Sequence, residues 1–346
     1  MSEAEENFNV SLRPKCLGEC IGQQNMRDKL VIAIEAAKKR GEPLEHILFY
    51  GPPGLGKTTL AHVVANEMGA RIRCSSGPAL IKAGDVMGLL TNVGTGDVLF
   101  IDEIHRLSTP VEEFIYPAME DFRVDYTVDS GLHAKTINFP LKRFTLIGAT
   151  TRAGLLSAPL RSRFGMLYHF DFYGVDELTQ ILQRSAQLLK LPCEAETLER
   201  IAARSRGTPR IANRLLKRVR DYAQVKGSGI LSTDIVDNAL EMEQIDPLGL
   251  DELDRSVLRA LATVYEGGPA GIEAIAATLG EERDTLEDVV EPYLLQIGFV
   301  RRTKRGREIT KQACEHLGLK LHARKESQTE HPGLFNLDQL PASGLQ

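Results

Sequence analysis

The sequence predicts an α/β fold: a parallel sheet around a phosphate-binding loop, then a small helical domain, then a winged helix. Residues 51–58 fit the pattern G-x-x-x-x-G-K-[ST] and lie between an apolar run and a helical pattern. A second apolar run, at residues 98–103, ends in two carboxylates. Strand patterns stop near Tyr173, and helical patterns then continue to a basic strand-turn-strand pattern at residues 298–309.

Composition limits the class of protein. A chain of 346 residues with 42% apolar and 26% charged residues is typical of a globular protein with about two or three domains. The chain has no apolar run long enough to span a bilayer, and its first residues are acidic, unlike a signal peptide, so we expect a cytoplasmic protein. The net charge of −5 means that nucleic-acid binding requires a local basic patch. The five scattered cysteines favour idle or buried thiols over a metal site or disulfides.

The first residues, 1–11, form an acidic stretch that we expect to be a mobile tail. An Arg-Pro segment at residues 12–15 precedes an amphipathic helical pattern at residues 23–40 that ends at Gly41. Two interpretations of the Arg-Pro segment remain open. It is either an exposed linker or, as in many ATPases of this general design, a segment that lies against the adenine and ribose.

The phosphate-binding loop has the right neighbours on both sides. The apolar residues 46–50 predict a buried strand, and residues 58–68 predict a helix that is closed by Gly69. This arrangement directs backbone N–H groups and a helix N-terminus at one phosphate chain. Lys57 is expected to reach the β- and γ-phosphates, and the Thr58 hydroxyl to hold Mg²⁺. The sequence therefore predicts binding of a nucleoside triphosphate.

Two more strands are expected to bring polar groups to the same edge of the sheet. Residues 98–103 predict a buried strand with Asp102 and Glu103 at its C-terminal end, where open α/β sheets bind ligands. Asp102 is expected to support Mg²⁺, and Glu103 to polarise the water that attacks the γ-phosphate. Residues 144–151 predict a neighbouring strand, which places Thr150 near the γ-phosphate or the attacking water.

Two segments leave alternatives open. Residues 122–139 alternate with period two around Ser130-Gly131 and predict a projecting β-hairpin, which is either an edge hairpin without a partner or a docking surface. Arg163 follows the last core strand and is either a surface charge or an arginine finger that stabilises the transferring phosphoryl group. Whether such a finger serves its own nucleotide or that of a neighbour stays open.

The remaining chain is helical and then basic. Residues 175–242 predict helices, and Thr208-Pro209 is a helix-start signal that places Arg210 in a first turn, over the nucleotide phosphates. Three helical patterns follow at 253–265, 271–279 and 284–296, the last with a possible kink at Pro292. With the strand-turn-strand, they predict a winged helix. Six basic residues concentrate at its hairpin: Arg301, Arg302, Lys304, Arg305, Arg307 and Lys311. This charge favours nucleic acid over a protein partner.

Four motifs together resemble a known family. They are Gly51-Pro-Pro-Gly-Leu-Gly-Lys-Thr-Thr, Phe100-Ile-Asp-Glu-Ile-His-Arg-Leu, Ile147-Gly-Ala-Thr-Thr-Arg-Ala-Gly and Gly207-Thr-Pro-Arg-Ile-Ala-Asn-Arg. With the basic winged helix they resemble the RuvB family of AAA+ ATPases, which drive branch migration of Holliday junctions. The resemblance covers residues 12–318. It implies an AAA+ P-loop domain at 1–173, a helical lid at 174–245 and a winged helix at 246–321, followed by a polar tail at 322–346 that we expect to be disordered.

The resemblance also implies roles for individual residues. ATP would be bound with Mg²⁺ by residues of the first two domains: Leu12 and Arg13 at the adenine, Gly54, Gly56, Lys57, Thr58 and Thr59 at the phosphates, Thr150 and Arg210 as first and second sensors, and Tyr173 as a further contact. Arg163 resembles the finger that reaches the ATP of a neighbour in a homohexamer. Further expected nucleotide contacts are Glu120, Asp121 and Phe122.

The implied partners are nucleic acid and protein. The resemblance places Arg283, Arg302 and Arg307 on duplex DNA at Holliday junctions. It makes the hairpin around Ile137 and Phe139 the surface for RuvA, the junction-binding partner, and it implies the resolvase RuvC as a further partner. Two other classes remain as alternatives: a clamp-loader or initiator-type switch, and an ATPase that remodels proteins through a docking winged helix.

Overall fold

The computed structural model describes residues 12–128, 135–194 and 196–319. The predictions for the acidic tail at 1–11, the turn at Ser130-Gly131 and the polar tail at 322–346 lie outside these residues. No helix in the described ranges is long and apolar enough to cross a membrane.

A five-stranded parallel sheet organises the N-terminal part of the chain. Its strands are β1 (Ile47–Tyr50), β2 (Ile72–Ser76), β3 (Val98–Asp102), β6 (Thr145–Thr150) and β7 (Met166–His169), in the order β2-β3-β6-β1-β7. The predicted strands β1, β3 and β6 are confirmed, and β6 lies beside β3 in parallel register. They are buried on both faces between two apolar clusters, which is why they read as continuous apolar runs.

Helices cover the two faces of the sheet. They are α1 (Gln24–Arg40), α2 (Lys57–Met68), α3 (Ala83–Thr91), α4 (Thr109–Glu120) and the short α5 (Ala158–Ser162). The predicted helices at 23–40 and 58–68 are confirmed, and Gly41 and Gly69 follow them with positive φ angles of 68° and 65°. Glycine is favoured at these ends because a Cβ would strain the left-handed conformation.

The predicted hairpin is present as a separate two-stranded antiparallel sheet. It consists of β4 (Arg123–Val128) and β5 (Lys135–Pro140), with Val124 opposite Phe139. The side chains of Ile137 and Phe139 are 38% and 37% exposed, whereas the side chain of Val124 in β4 is buried. The strand β5 therefore presents apolar side chains to solvent.

Four helices form the second unit around their own apolar cluster. They are α6 (Val175–Leu188), α7 (Thr197–Ala203), α8 (Pro209–Lys226) and α9 (Thr233–Met242). The helix start predicted from Thr208-Pro209 is confirmed, with Pro209 as the first residue of α8 and Arg210 as the second. Proline is favoured there because a first helical residue needs no N–H partner.

The third unit is a winged helix with its own core. Its helices are α10 (Glu252–Arg259, continued by Ala260–Val264), α11 (Ile272–Leu279), α12 (residues 283–296) and α13 (Lys311–His316), and its hairpin is β8 (Val300–Thr303) with β9 (Gly306–Ile309). Within α12, the hydrogen bonding widens to an i→i+5 pattern over Leu286–Val290, just before Pro292. The predicted irregularity at Pro292 thus lies one turn earlier, because the proline ring disturbs the preceding turn.

A buried ion pair joins the lid to the winged helix. The Arg206 guanidinium is 5% exposed and lies 2.6 Å from Asp251 and 2.5 Å from Asp254, which is fully buried. The Arg206 Nε also donates to the carbonyl of Gly249 at 2.7 Å. Removing the guanidinium would leave the Asp254 carboxylate in the interior without its cation.

We predict that Arg206→Ala lowers the free energy of unfolding by about 3 kcal/mol, because a buried charge loses its partner. Calorimetry or denaturant unfolding measures this change. The matched control is Arg40→Ala, which breaks the exposed Arg40–Glu42 pair and should change the free energy of unfolding by less than about 1 kcal/mol. Equal effects of the two variants would contradict the structural role of Arg206.

Candidate active site

A cleft between the sheet and the lid collects most of the predicted nucleotide residues. The N-terminal segment contributes Leu12 and Arg13, and α8 contributes Arg210. The phosphate loop and the edge of the sheet supply the rest of the floor: Gly54, Gly56, Lys57, Thr58, Thr59, Asp102, Glu103, Thr151 and Tyr173. One cleft therefore combines residues that are up to about two hundred positions apart in sequence.

The phosphate loop and the lid are in direct contact at Gly54. This glycine has a φ of +80°, and a Cβ there would lie 2.7 Å from Thr208 Cγ2 and 3.1 Å from Arg210 Cβ. The backbone N–H of Arg210 donates to the Gly54 carbonyl at 3.3 Å. The first turn of α8 can approach the loop this closely only because position 54 has no side chain.

Lys57 is buried at the base of the loop. Its side chain is 7% exposed, and its Nζ donates to the carbonyls of Gly51 and Pro52, both at 2.8 Å. Burial lowers the pKa of Lys57 to about 8, while the nearby carboxylates of Glu103 and Asp102 act in the opposite direction. A bound polyphosphate would stabilise the charged ammonium further.

Two oxygen donors form a pair that suits Mg²⁺. The Thr58 Oγ1 donates to Asp102 Oδ2 at 3.2 Å, so both side chains face the same point at the end of β3. Magnesium prefers oxygen ligands and takes most of its shell from water and substrate phosphates, so two protein oxygens are enough. Thr58 and Asp102 therefore fit the predicted ion, which when bound would neutralise phosphate charge.

Glu103 is held in an unusual backbone conformation beside this pair. Its φ is +47°, its N–H donates to Asp102 Oδ1 at 2.9 Å, and its carbonyl accepts from Arg106 N at 2.9 Å. Gly77 leaves room for that carbonyl, since a Cβ on Gly77 would lie 2.3 Å from it. Such conformations are costly and concentrate at functional sites. Burial, followed by the neighbouring Asp102, raises the pKa of Glu103.

The two threonines at the end of β6 face different surroundings, Thr150 as the last residue of the strand and Thr151 as the next residue. Thr150 is fully buried, and its Oγ1 lies 2.9 Å from His105 Nδ1. Thr151 lines the cleft, and its Oγ1 donates to Glu103 Oε2 at 3.3 Å. Sequence reasoning singled out Thr150 and missed Thr151 and His105. The Thr-Thr repeat and the His two positions after Glu103 were the available signals.

The end of the cleft near Leu12, where we expect adenine, is held by contacts from the lid. The carbonyl of Leu12 accepts from Arg184 of α6 at 2.7 Å, and the same guanidinium pairs with Glu19 at 2.8 Å. The Tyr173 hydroxyl donates to the carbonyl of Leu55 at 3.2 Å, and burial raises the pKa of this phenol. The role of Arg184 had no distinct signal in the sequence, because it is one of many basic residues on helices.

Arg163 lies outside the cleft, together with residues 120–122. The Arg163 Nε is 3.2 Å from Glu120 Oε1, and the guanidinium lies over the Tyr116 ring at 4.2 Å. Asp121 pairs with Arg123 at 3.2 Å, and the Phe122 ring packs edge-on against Phe144. The structure thus groups these predicted nucleotide contacts with one another and not with the phosphate loop.

The three arginines expected at DNA differ in exposure. Arg283 and Arg302 have side chains 52% and 56% exposed, whereas that of Arg307 is 14% exposed. All three pair with carboxylates of their own domain. Arg283 lies 3.1 Å from Glu273, and both Arg302 and Arg307 bind the buried Glu291. The hairpin also exposes Arg301, Lys304 and Arg305.

The winged helix touches the C-terminal edge of the sheet, where the cleft lies, through α12. Asp284 lies 3.2 Å from Arg106 and 2.9 Å from Arg152, and Asp288 lies 2.6 Å from the Nε of Arg152. Arg106 follows Glu103 by three residues, and Arg152 follows Thr151. One helix of the third unit is therefore ion-paired with both loops that carry the polar groups of the cleft.

Comparison with known proteins agrees with this geometry. Family models match the chain in three consecutive parts: the Holliday junction DNA helicase RuvB P-loop domain at residues 12–170, the RuvB AAA lid domain at 173–246 and the RuvB C-terminal winged helix domain at 247–318. A solved structure of the Thermotoga maritima RuvB Holliday junction branch migration motor is 52% identical, with a TM-score of 0.83, over 90% of this chain and 100% of that one.

A point mutant of the same Thermotoga RuvB is also 52% identical and has a TM-score of 0.84, covering 90% of this chain and 99% of the mutant. The three family models together span the P-loop sheet, the lid and the winged helix described above. The chain therefore belongs to the RuvB family of Holliday junction branch migration motors, which are AAA+ P-loop ATPases.

Proposed function

We propose that this chain binds and hydrolyses ATP with Mg²⁺ as one subunit of a homohexameric ring that drives duplex DNA through Holliday junctions. The observation that carries this proposal is the single cleft in which the phosphate loop, Asp102, Glu103 and Arg210 converge. The same chain carries a basic hairpin on its winged helix. The proposed units are a large domain at 1–173, a lid at 174–245 and a winged helix at 246–321.

The roles in hydrolysis follow from the positions in the cleft. Lys57 and the loop amides would hold the β- and γ-phosphates, and Thr58 with Asp102 would hold Mg²⁺. Glu103 would accept a proton from the attacking water, a role for which its raised pKa is suited. Arg210 sits on the first turn of the lid helix, so a γ-phosphate contact there would couple nucleotide state to lid position.

The position of Arg163 supports a ring in which neighbours share ATP sites. The residue does not line the cleft of its own chain, and its guanidinium is only 20% exposed, held by Glu120 and the Tyr116 ring. A held cation near Glu120, Asp121 and Phe122 suits an arginine finger aimed at the nucleotide of the next subunit. Fingers of this kind contribute about 10³–10⁵ in rate where they occur.

The other partners follow from two exposed surfaces. The basic hairpin would contact DNA phosphates, with Arg283, Arg302 and Arg307 as contact residues, so movement should be largely independent of base sequence and sensitive to salt. The exposed Ile137 and Phe139 of β5 would bind RuvA, the junction-binding partner. RuvC, the resolvase, would act on the same junctions.

Experiments on the same protein distinguish the proposed function from two other functions. A clamp-loader or initiator-type switch would hydrolyse ATP without moving along DNA. A protein-remodelling ATPase would be stimulated by unfolded protein and not by duplex DNA. The basic hairpin favours DNA over polypeptide, and the family favours a motor over a switch.

Lys57→Ala should abolish nucleotide binding, because the buried ammonium that faces the loop carbonyls is lost. Glu103→Gln should keep binding and lower turnover by on the order of 10²-fold or more, because the general base is lost. Fluorescent-nucleotide titration and steady-state phosphate release separate the two defects. Retained turnover in Glu103→Gln would refute its role as the base.

Arg163→Ala should bind ATP with near-normal affinity and yet lose turnover by on the order of 10³-fold. Mixing it with the Lys57→Ala variant should restore partial hydrolysis, because sites that pair an intact phosphate loop with a wild-type neighbour's Arg163 form only in mixed rings. Phosphate release across a mixing series measures this. Hydrolysis at the wild-type rate by Arg163→Ala alone would exclude the interface finger.

The direct test of the proposed function is dissociation of a synthetic four-way junction at moderate salt. Dissociation should require this chain, RuvA and hydrolysable ATP together, and linear duplex DNA should remain intact as the control. Normal DNA-stimulated ATP hydrolysis without dissociation of the junction would favour the clamp-loader or initiator-type switch. Stimulation by unfolded protein alone would favour the remodelling ATPase.

A further inference from the structure

A polar cluster of Glu103, His105 and Thr150 lies where β3 and β6 end. The His105 side chain is 6% exposed, and its Nδ1 lies 3.2 Å from Glu103 Oε2 and 2.9 Å from Thr150 Oγ1. His105 does not line the cleft, although Glu103 does. Any effect of this imidazole on hydrolysis therefore passes through Glu103 or Thr150.

Burial and the neighbouring charges affect the pKa of His105. Burial lowers the pKa of His105, and the cations of Arg152 and Arg106 act in the same direction, against the weaker effects of Asp288 and Asp284. A neutral imidazole carries one N–H, and a protonated imidazole carries two. A proton on Nδ1 lets this atom donate to Thr150 Oγ1 and places a positive partial charge 3.2 Å from Glu103 Oε2, whereas a bare Nδ1 would set its lone pair against the carboxylate.

The Thr150 hydroxyl contacts the same nitrogen of the imidazole. Its Oγ1 accepts the backbone N–H of Arg152 at 3.0 Å and lies within hydrogen-bond distance of the same Nδ1. Because Thr150 is fully buried in β6, it gives the imidazole a rigid neighbour. The ring therefore links the turn after β3 to the end of β6.

Glu103 needs such a restraint. Its carboxylate is 35% exposed, and its backbone is in the left-handed region with a φ of +47°. His105 and Thr151 both contact Oε2, at 3.2 and 3.3 Å. Two contacts on one oxygen orient the carboxylate, and both leave Oε1 outside the contact.

We propose that His105 is a positioning residue, which orients the Glu103 carboxylate for proton transfer through the contact of its Nδ1 with Oε2 and is itself held in place by its hydrogen bond with Thr150. This inference rests on the proposed role of Glu103 as the general base. It differs from a merely structural role, because it assigns a specific donor atom and predicts an effect on turnover that disappears when the carboxylate is absent.

His105→Ala should lower kcat for ATP by on the order of 10- to 100-fold, since misplacing a catalytic group by about 1 Å costs about this much. KM and nucleotide affinity should change by less than about threefold, because His105 does not touch the cleft. His105→Asn should recover most of the lost kcat, since its side-chain amide carries an N–H near the position of Nδ1. The matched control is His169→Ala, which removes an exposed histidine bonded to Asp171.

A double-mutant cycle with Glu103→Gln separates this inference from the proposed function. Adding His105→Ala to Glu103→Gln should change the residual kcat by less than about twofold, because the group that His105 orients is already lost. An equal loss in both backgrounds, wild-type kcat in His105→Ala, or no recovery in a well-folded His105→Asn would each overturn the positioning role. Wild-type turnover in Glu103→Gln would instead refute the base.

Discussion

The close backbone approach at the phosphate loop is the constraint on which the rest of this structure depends. A Cβ on Gly51 would lie 2.6 Å from the carbonyl of Phe170, and one on Gly54 would lie 2.7 Å from Thr208. Both glycines have positive φ angles. The loop thus packs against the last strand of the sheet on one side and the lid helix on the other, and any side chain there would separate the elements that form the cleft.

Paired charges connect the three units and place the winged helix against the ATPase edge. Arg206 anchors the lid to the start of α10 through two carboxylates, one of them fully buried. At the other end, α12 contacts Arg106 and Arg152 next to the catalytic loops. The same helix supplies Glu291, which holds Arg302 and Arg307 of the basic hairpin. One helix of the third unit therefore contacts both the basic hairpin and the loops beside the cleft.

The elements that sequence reasoning missed share a physical cause. The strands β2 and β7 lie at the two edges of the sheet, so residues such as Arg73 and Cys74 are exposed and the apolar pattern is weak. The helices α3, α4 and α13 are short or contain proline, which reduces the helical periodicity. The central strands were correctly predicted, because both of their faces are buried and the sequence shows a continuous apolar run. The helices that end at a glycine were correctly predicted, because the glycine marks the end of the helix.

The sequence by itself determined that Lys57, Thr58, Asp102 and Glu103 meet in one cleft, since they belong to motifs that end or follow strands at the same edge of the sheet. It also determined that the charge of the third unit is concentrated at a hairpin. Only the tertiary structure decided which hydroxyl faces the cleft, Thr151 and not Thr150, and that His105 contacts Glu103. Those facts depend on the direction of side chains at the ends of neighbouring strands, and pairing between distant segments sets that direction.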